Sequence, residues 1–192
     1  MAGSRILSNE NEKRTIESAL IGEIAQRAVR QGVVDNPVDV VVRDILPLTD
    51  LGGSTTNATS ASYGFTSENW RVNLKDYQQD GSTASAANAY NLVVKVNLNK
   101  EKVIGFMGVR KAGEDMVSAI RWSLGSGAKI KDIWQIDYLP EDGGVMYAEN
   151  PIIFNATNVV KMEYYLKSPG ISYLQIMGKT AEARSDTIVG TE

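Results

Sequence analysis

Residues 90–109 read YNLVVKVNLNKEKVIGFMGV, and their alternation decides the fold class. Leu92, Val94, Val96 and Leu98 fall on one face of an extended chain, while Asn91, Lys95 and Asn97 fall on the other. That is the period of two expected of a half-buried strand. Asn99 to Lys102 supply a turn, after which Val103 to Val109 carry apolar residues in both registers with Gly105 and Gly108 interposed. Such a strand belongs in the centre of a sheet covered on both faces, or bends at a glycine.

The signal repeats downstream. Met116, Ile120, Trp122 and Leu124 mark the next strand, and Gly125-Ser126-Gly127 the next turn. Ile130, Trp134, Ile136 and Tyr138 share one face of a strand expected to end at Pro140, before the tight-turn residues Asp142-Gly143-Gly144. Pro151 to Phe154, Val159 to Leu166 and Ile171 to Gly178 complete the series, the last two joined by Ser168-Pro169-Gly170. Upstream, Val38 to Ile45 forms a β-branched run stopped by Pro47, and Trp70, Val72 and Leu74 alternate with polar neighbours. Roughly eight or nine short strands with no helical pattern between them predict a mainly β protein, an antiparallel β-sandwich or jelly roll with an N-terminal α-helix.

The helix is expected from Glu10 to Gln31, where Ile16, Leu20, Ile24 and Ala28 recur every four residues beside Ile21, Ala25 and Val29. Ser8 or Asn9 caps its start and Gly32 its end. The chain divides into an arm and helix (1–37), a sandwich (38–181) and a polar tail (182–192). Because two sheets already cover each other, the stripe of Ile16, Leu20, Ile21, Ile24 and Val29 is expected to be an interface with a partner. Packing back on its own sheet is the alternative. If the stripe faces a partner, removing residues 1–32 leaves a folded sandwich that no longer assembles. Residues 52–68 and 80–88, rich in Gly, Ser, Thr, Asn and Ala, read as exposed loops or arms lying on a neighbour.

Composition removes much chemistry. The chain has neither histidine nor cysteine, which excludes disulfides, thiolate sites, Ser-His-Asp and Cys-His catalysis and ordinary zinc centres. A net charge of −3 with cations scattered among acids gives no basic stripe, so nucleic acid is not an expected partner. No apolar run approaches the ~18–20 residues of a membrane span, and Met1 to Leu7 lacks a signal peptide's apolar segment, so a soluble, cytosolically made protein is expected.

The surviving motifs sit in the wrong context. Gly178-Lys179-Thr180 ends like a phosphate loop, but Tyr173 stands where the first glycine belongs and no helix follows. Ser126 and Lys129 have Ser-x-x-Lys spacing but lie in a glycine turn, and Lys179-Thr180 with Ser185-Asp186 echo the partner motifs of penicillin-recognising enzymes only loosely. The acids Glu114-Asp115, Glu141-Asp142, Asp132 and Asp137 flank turns, save Asp132, for which an ion pair with Arg121 is expected. Trp70, Trp122 and Trp134 are expected in the core instead of on a carbohydrate platform, and the triplets at Asn57 and Asn155 are taken as chance matches to a glycosylation signal. No catalytic centre, cofactor or metal is expected.

The layout resembles the jelly-roll auxiliary capsid proteins of tailed viruses, the decoration or cement proteins. The likeness lies in the N-terminal helix, the Val-Arg-Asp-Ile-Leu-Pro strand end at Val42 to Pro47, the Ser/Thr/Asn-rich loops and the continuous antiparallel domain over about 38–180. It implies a virion structural protein made in the host cytoplasm, binding a major capsid or other virion protein and forming homo-oligomers, with a trimer the expected number. A carbohydrate-binding sandwich module and a glycan-cleaving enzyme on a similar fold are the competing readings.

Overall fold

The computed structural model describes residues 4–5, 10–52, 65, 67–74, 78–79, 83–84, 87–112, 115–125, 129–140 and 142–186. After a two-residue strand β1 (Ser4–Arg5) comes helix α1 (Glu10–Arg30), then a 3-10 turn at Pro37–Asp39, strand β2 (Val40–Asp44) and the short helix α2 (Pro47–Leu51). Three two-residue strands, β3 (Val72–Asn73), β4 (Gln78–Gln79) and β5 (Thr83–Ala84), precede the long ones. These are β6 (Ala89–Asn97), β7 (Lys102–Ala112), β8 (Val117–Leu124), β9 (Lys129–Gln135), β10 (Asp142–Phe154) and β11 (Val159–Leu166). β12 (Ile171–Ser172), β13 (Gln175–Ala183) and a 3-10 turn at Arg184–Asp186 close the described chain.

Two antiparallel sheets form the sandwich, one ordered β1-β10-β7-β13-β2 and the other β6-β11-β8-β9. Setting aside the two-residue pieces, β2 and β6 to β11 with β13 are eight strands in chain order. In that count the sheets run first-eighth-third-sixth and second-seventh-fourth-fifth. Successive strands cross between sheets in the manner of two interleaved Greek keys, so the expected jelly roll is present. Between the sheets lies a core that includes Phe106, Trp122, Trp134, Phe154, Met162 and Tyr164. Trp122 is its hub, with ring centroids 4.2 Å from Phe106 and 5.2 Å from Trp134.

Strand β7 is buried on its second face as well. There α1 seats Leu20, Ile24 and Ala28 against Val103, Met107 and Ala181, with Val40 and Val42 alongside. Gly105 makes the close approach possible, because a Cβ built on it would lie 2.4 Å from Leu20 Cδ1 and 3.1 Å from Ile24 Cγ2. The architecture is therefore helix on sheet on sheet, and the expectation that the stripe leaves its own domain is corrected for Leu20 and Ile24. The sandwich's second outer face is apolar, which is why the helix returns to it.

Four boundaries also differ from expectation. Asp142 to Phe154 is one strand, since the Asp142-Gly143-Gly144 segment continues the pairing with β7 across an irregularity. Ile171 to Gly178 is two strands in different sheets, β12 pairing with β3 and β13 with β7 and β2. The strand expected to reach Pro140 ends at Gln135. β13 runs to Ala183 and buries Glu182, so the polar tail does not begin at 182.

Gly105→Val should destabilise the fold by about 1–3 kcal/mol, the usual cost of forcing extra methyl groups into a filled interface. Deleting residues 1–32 should uncover Val103, Met107 and Ala181 and abolish the cooperative thermal transition. Circular dichroism melts check both.

Candidate docking surface

The five helix residues expected at an interface separate into two groups. Leu20 and Ile24 are buried against β7, and Ile16 packs at the edge of the same cluster. Ile21 and Val29 are only partly buried. Val29 joins Ala25 on the side of α1 turned toward the chain that leads into β2, and with Pro37 and Val40 these residues line a groove of about 290 Å³. Gln26 and Arg30 stand along its helix side. At the strand side Val38 is 68 % exposed, held out by the 3-10 turn in which Asn36 accepts a hydrogen bond from the Val38 N–H at 3.2 Å. β2 is the last strand of its sheet, so its outer backbone edge has no strand partner among the described residues. An apolar groove beside an unpaired strand edge is a surface that can take up another polypeptide.

The same strand carries a buried charge network on its inner face. Arg43 donates to Asp50 through both terminal nitrogens, at 2.7 and 3.0 Å, and to Glu182 at 2.8 and 3.0 Å. Asp50, wholly buried, also accepts from Lys102 Nζ at 2.9 Å and from the Leu46 N–H at 2.8 Å. Burial alone would raise the Asp50 pKa, but these donors, Arg43 foremost, hold it below the ordinary carboxylate value. Glu68 adds a cap on α2, accepting from the Leu48 and Thr49 N–H groups at 3.0 Å each. The network ties the turn after β2 to β13 and β7 and makes the β2 edge rigid. Sequence reading passed over it, although Arg43 shares its parity with the core residue Ile45.

The remaining candidates take structural places. Lys179 bridges α1 and β2, its Nζ lying 2.5 Å from Glu17 and 2.7 Å from Asp44. Asp132 does not pair with Arg121. It accepts from Trp134 Nε1 at 3.2 Å and from the Ile133 N–H at 2.9 Å, while Arg121 pairs with Glu163 at 2.8 Å and lies over the Tyr90 ring. The reason is strand parity, since Arg121 stands opposite Ile133 and Asp132 opposite the core residue Trp122; beyond Trp122 a register shift passes over Lys131 and leaves Ile130 half exposed. Asp137 pairs with Lys167. Trp122 and Trp134 are core residues, at 0 % and 1 % exposure, and Trp70 sits edge-on to Phe65. Asn155 accepts from Arg27 at 3.0 Å and so helps hold the helix. Glu114, Glu141, Ser126, Asn57 and nearly all of 52–64 lie outside the described residues. Among the described residues no group of acids could hold a metal ion, and no helix is long and apolar enough to cross a membrane.

Compared with protein-family models, curated proteins and solved structures, the chain matches none of them.

Because Asp50 titrates below its unfolded value of about 3.9, its contribution is complete above that pH and is lost as pH falls through the lower folded value. Asp50→Asn should cost about 3–5 kcal/mol at neutral pH by leaving Arg43 and Lys102 undercompensated, and should flatten the acid limb of the stability curve. Urea unfolding across a pH series measures both.

Proposed function

We propose that this chain is a virion structural protein of the decoration or minor-capsid kind, which joins copies of itself and binds a viral shell through protein contacts alone. The observation that carries the reading is the pairing of Val38 with the groove beside it. Val38 projects as an apolar knob, and the groove formed by Ala25, Val29, Pro37 and Val40 is an apolar hole of matching scale. A knob and a hole side by side make one self-complementary patch, which two copies can exchange about a twofold axis; a ring requires each copy to give its knob to one neighbour and its hole to another. Charge agrees with this docking: exposed Asp39 follows the knob, and exposed Arg30 borders the hole. A trimer is the number that the likeness to decoration proteins implies, with the shell bound by surfaces outside the contact between copies.

The jelly-roll topology supports the proposal only in a general way, since that fold serves viral shells, lectins and other proteins alike. The carbohydrate-binding reading rested on the tryptophans and loop asparagines; Trp122 and Trp134 are enclosed in the core, and Trp70 is half-buried against it.

Val38→Asp should convert an oligomer to monomer with no loss of thermal stability, because the side chain touches little of its own fold. Sedimentation across a concentration series, with co-sedimentation on purified shells, provides the test. A wild-type chain that stays monomeric and leaves the shells unbound would overturn the proposal.

A further inference from the structure

At the end of the sandwich away from the groove, β7 carries a lysine whose stem is buried and whose amine opens to a cleft. Lys111 is only 4 % exposed, yet among the described residues its amine has no hydrogen-bond or ion-pair partner. Its position follows from an irregularity at Met107. Both neighbours of β7 skip that residue, pairing on either side with Phe106 and Gly108. Ile104 and Phe106 face the inter-sheet core before the skip, and Val109 and Lys111 face it afterwards. Arg110 turns to solvent instead.

Lys111 opens into a cleft of about 660 Å³. Asp115 lies in the same cleft but is occupied, accepting from the Val117 N–H at 3.0 Å, the Tyr173 N–H at 2.9 Å and Ser172 Oγ at 2.9 Å. It interacts with Lys111 through space without forming an ion pair, and burial raises its pKa despite those donors. At the mouth Lys167 and Asp137 neutralise each other at 2.5 Å. The walls between are apolar, made by Met116, Leu139 and the half-exposed Tyr138. The cleft thus has one uncommitted cation at its inner end, and a ring-sized apolar body leading to it.

We infer that this cleft binds a small carboxylate with a ring or apolar body, its carboxylate on Lys111 and its body against Tyr138, Met116 and Leu139. The Lys111 stem is buried but its amine opens to the cleft, so water completes its shell until an anion replaces that water. A carboxylate supplies both the charge and the acceptors. A doubly charged phosphate is disfavoured by Asp115 and Asp137 on the same walls. The inference is independent of the contact between copies at Val38 and goes beyond a purely structural role.

Titration of the wild-type protein with benzoate and with D-glucuronate, using benzyl alcohol and glucose as uncharged controls, tests it. The readout is the 15N resonance of the Lys111 amine together with calorimetry. At least one acid should saturate and move that resonance while its control does not, which also tells an aromatic body from a sugar ring. Lys111→Met should weaken binding at least tenfold, since it removes the cation while keeping an unbranched stem of similar volume. The inference fails if neither acid moves the resonance, if the uncharged controls bind as well, or if Lys111→Met binds as tightly as wild type. The resonance measurement stands even if that variant does not fold.

Discussion

Strand β7 must be apolar on both of its faces, and the rest of the molecule follows from that demand. One face meets the aromatic core around Trp122, and the other meets α1 across Gly105. A sandwich needs one buried face per sheet, so a central strand apolar on both sides obliges a third layer. The helix supplies it. Lys179, reaching Glu17 on the helix and Asp44 on β2, and Arg27, reaching Asn155, fix the layer at its edges. The packing holds most of the energy. These polar links set where the helix lies.

The two ends of the sandwich treat buried charge in opposite ways. At one end Arg43 and Lys102 face Asp50 and Glu182, two cations against two anions, each carboxylate held by several donors. Such a closed set adds definition to the turn after β2, and little net stability is expected of it because desolvation offsets most of the attraction. At the other end Lys111 is left over. Asp115, the nearest buried acid, spends its oxygens on backbone and serine donors, and Asp137 spends its charge on Lys167. A closed network belongs to architecture; the open one beside the cleft is where the proposed carboxylate ligand would complete the set.

The class of fold was legible because its signal is periodic and repeated. Val160, Met162, Tyr164 and Leu166 face inward against Lys161 and Glu163 as their alternation requires, and both-face burial of Val103 to Val109 follows from its unbroken apolar run. What was not legible depends on single-residue irregularities. The skip at Met107 exchanges Arg110 for Lys111, the skip at Lys131 turns Ile130 outward, and a shift in β6 leaves both Val93 and Val94 buried. One extra residue reverses every side chain beyond it. Sequence parity therefore holds up to a bulge and inverts after it. The helix stripe failed for another reason: amphipathicity identifies a face that must be covered and is silent on what covers it.

That division also explains why the two candidate surfaces differ in kind. The groove at Val38 arises where the helix layer ends and the sheet edge begins, so its apolar lining is what remains of a stripe wider than the sheet it covers. Leu20 and Ile24 satisfy β7, and Ala25 and Val29 are carried past the edge with them because a helix cannot place i and i+4 inward without placing i+1 and i+5 beside them. An edge surface of this origin has the core behind it, through the Arg43 and Asp50 network, and under the proposed function would meet a partner with little further ordering to do. The Lys111 cleft has a different origin, a register skip inside a strand, and its charge is fixed by backbone geometry instead of by a surplus of apolar area. Mutations that move the helix should alter the groove and leave the cleft, whereas restoring a regular register at Met107 should move Lys111 out and bring Arg110 in without disturbing α1.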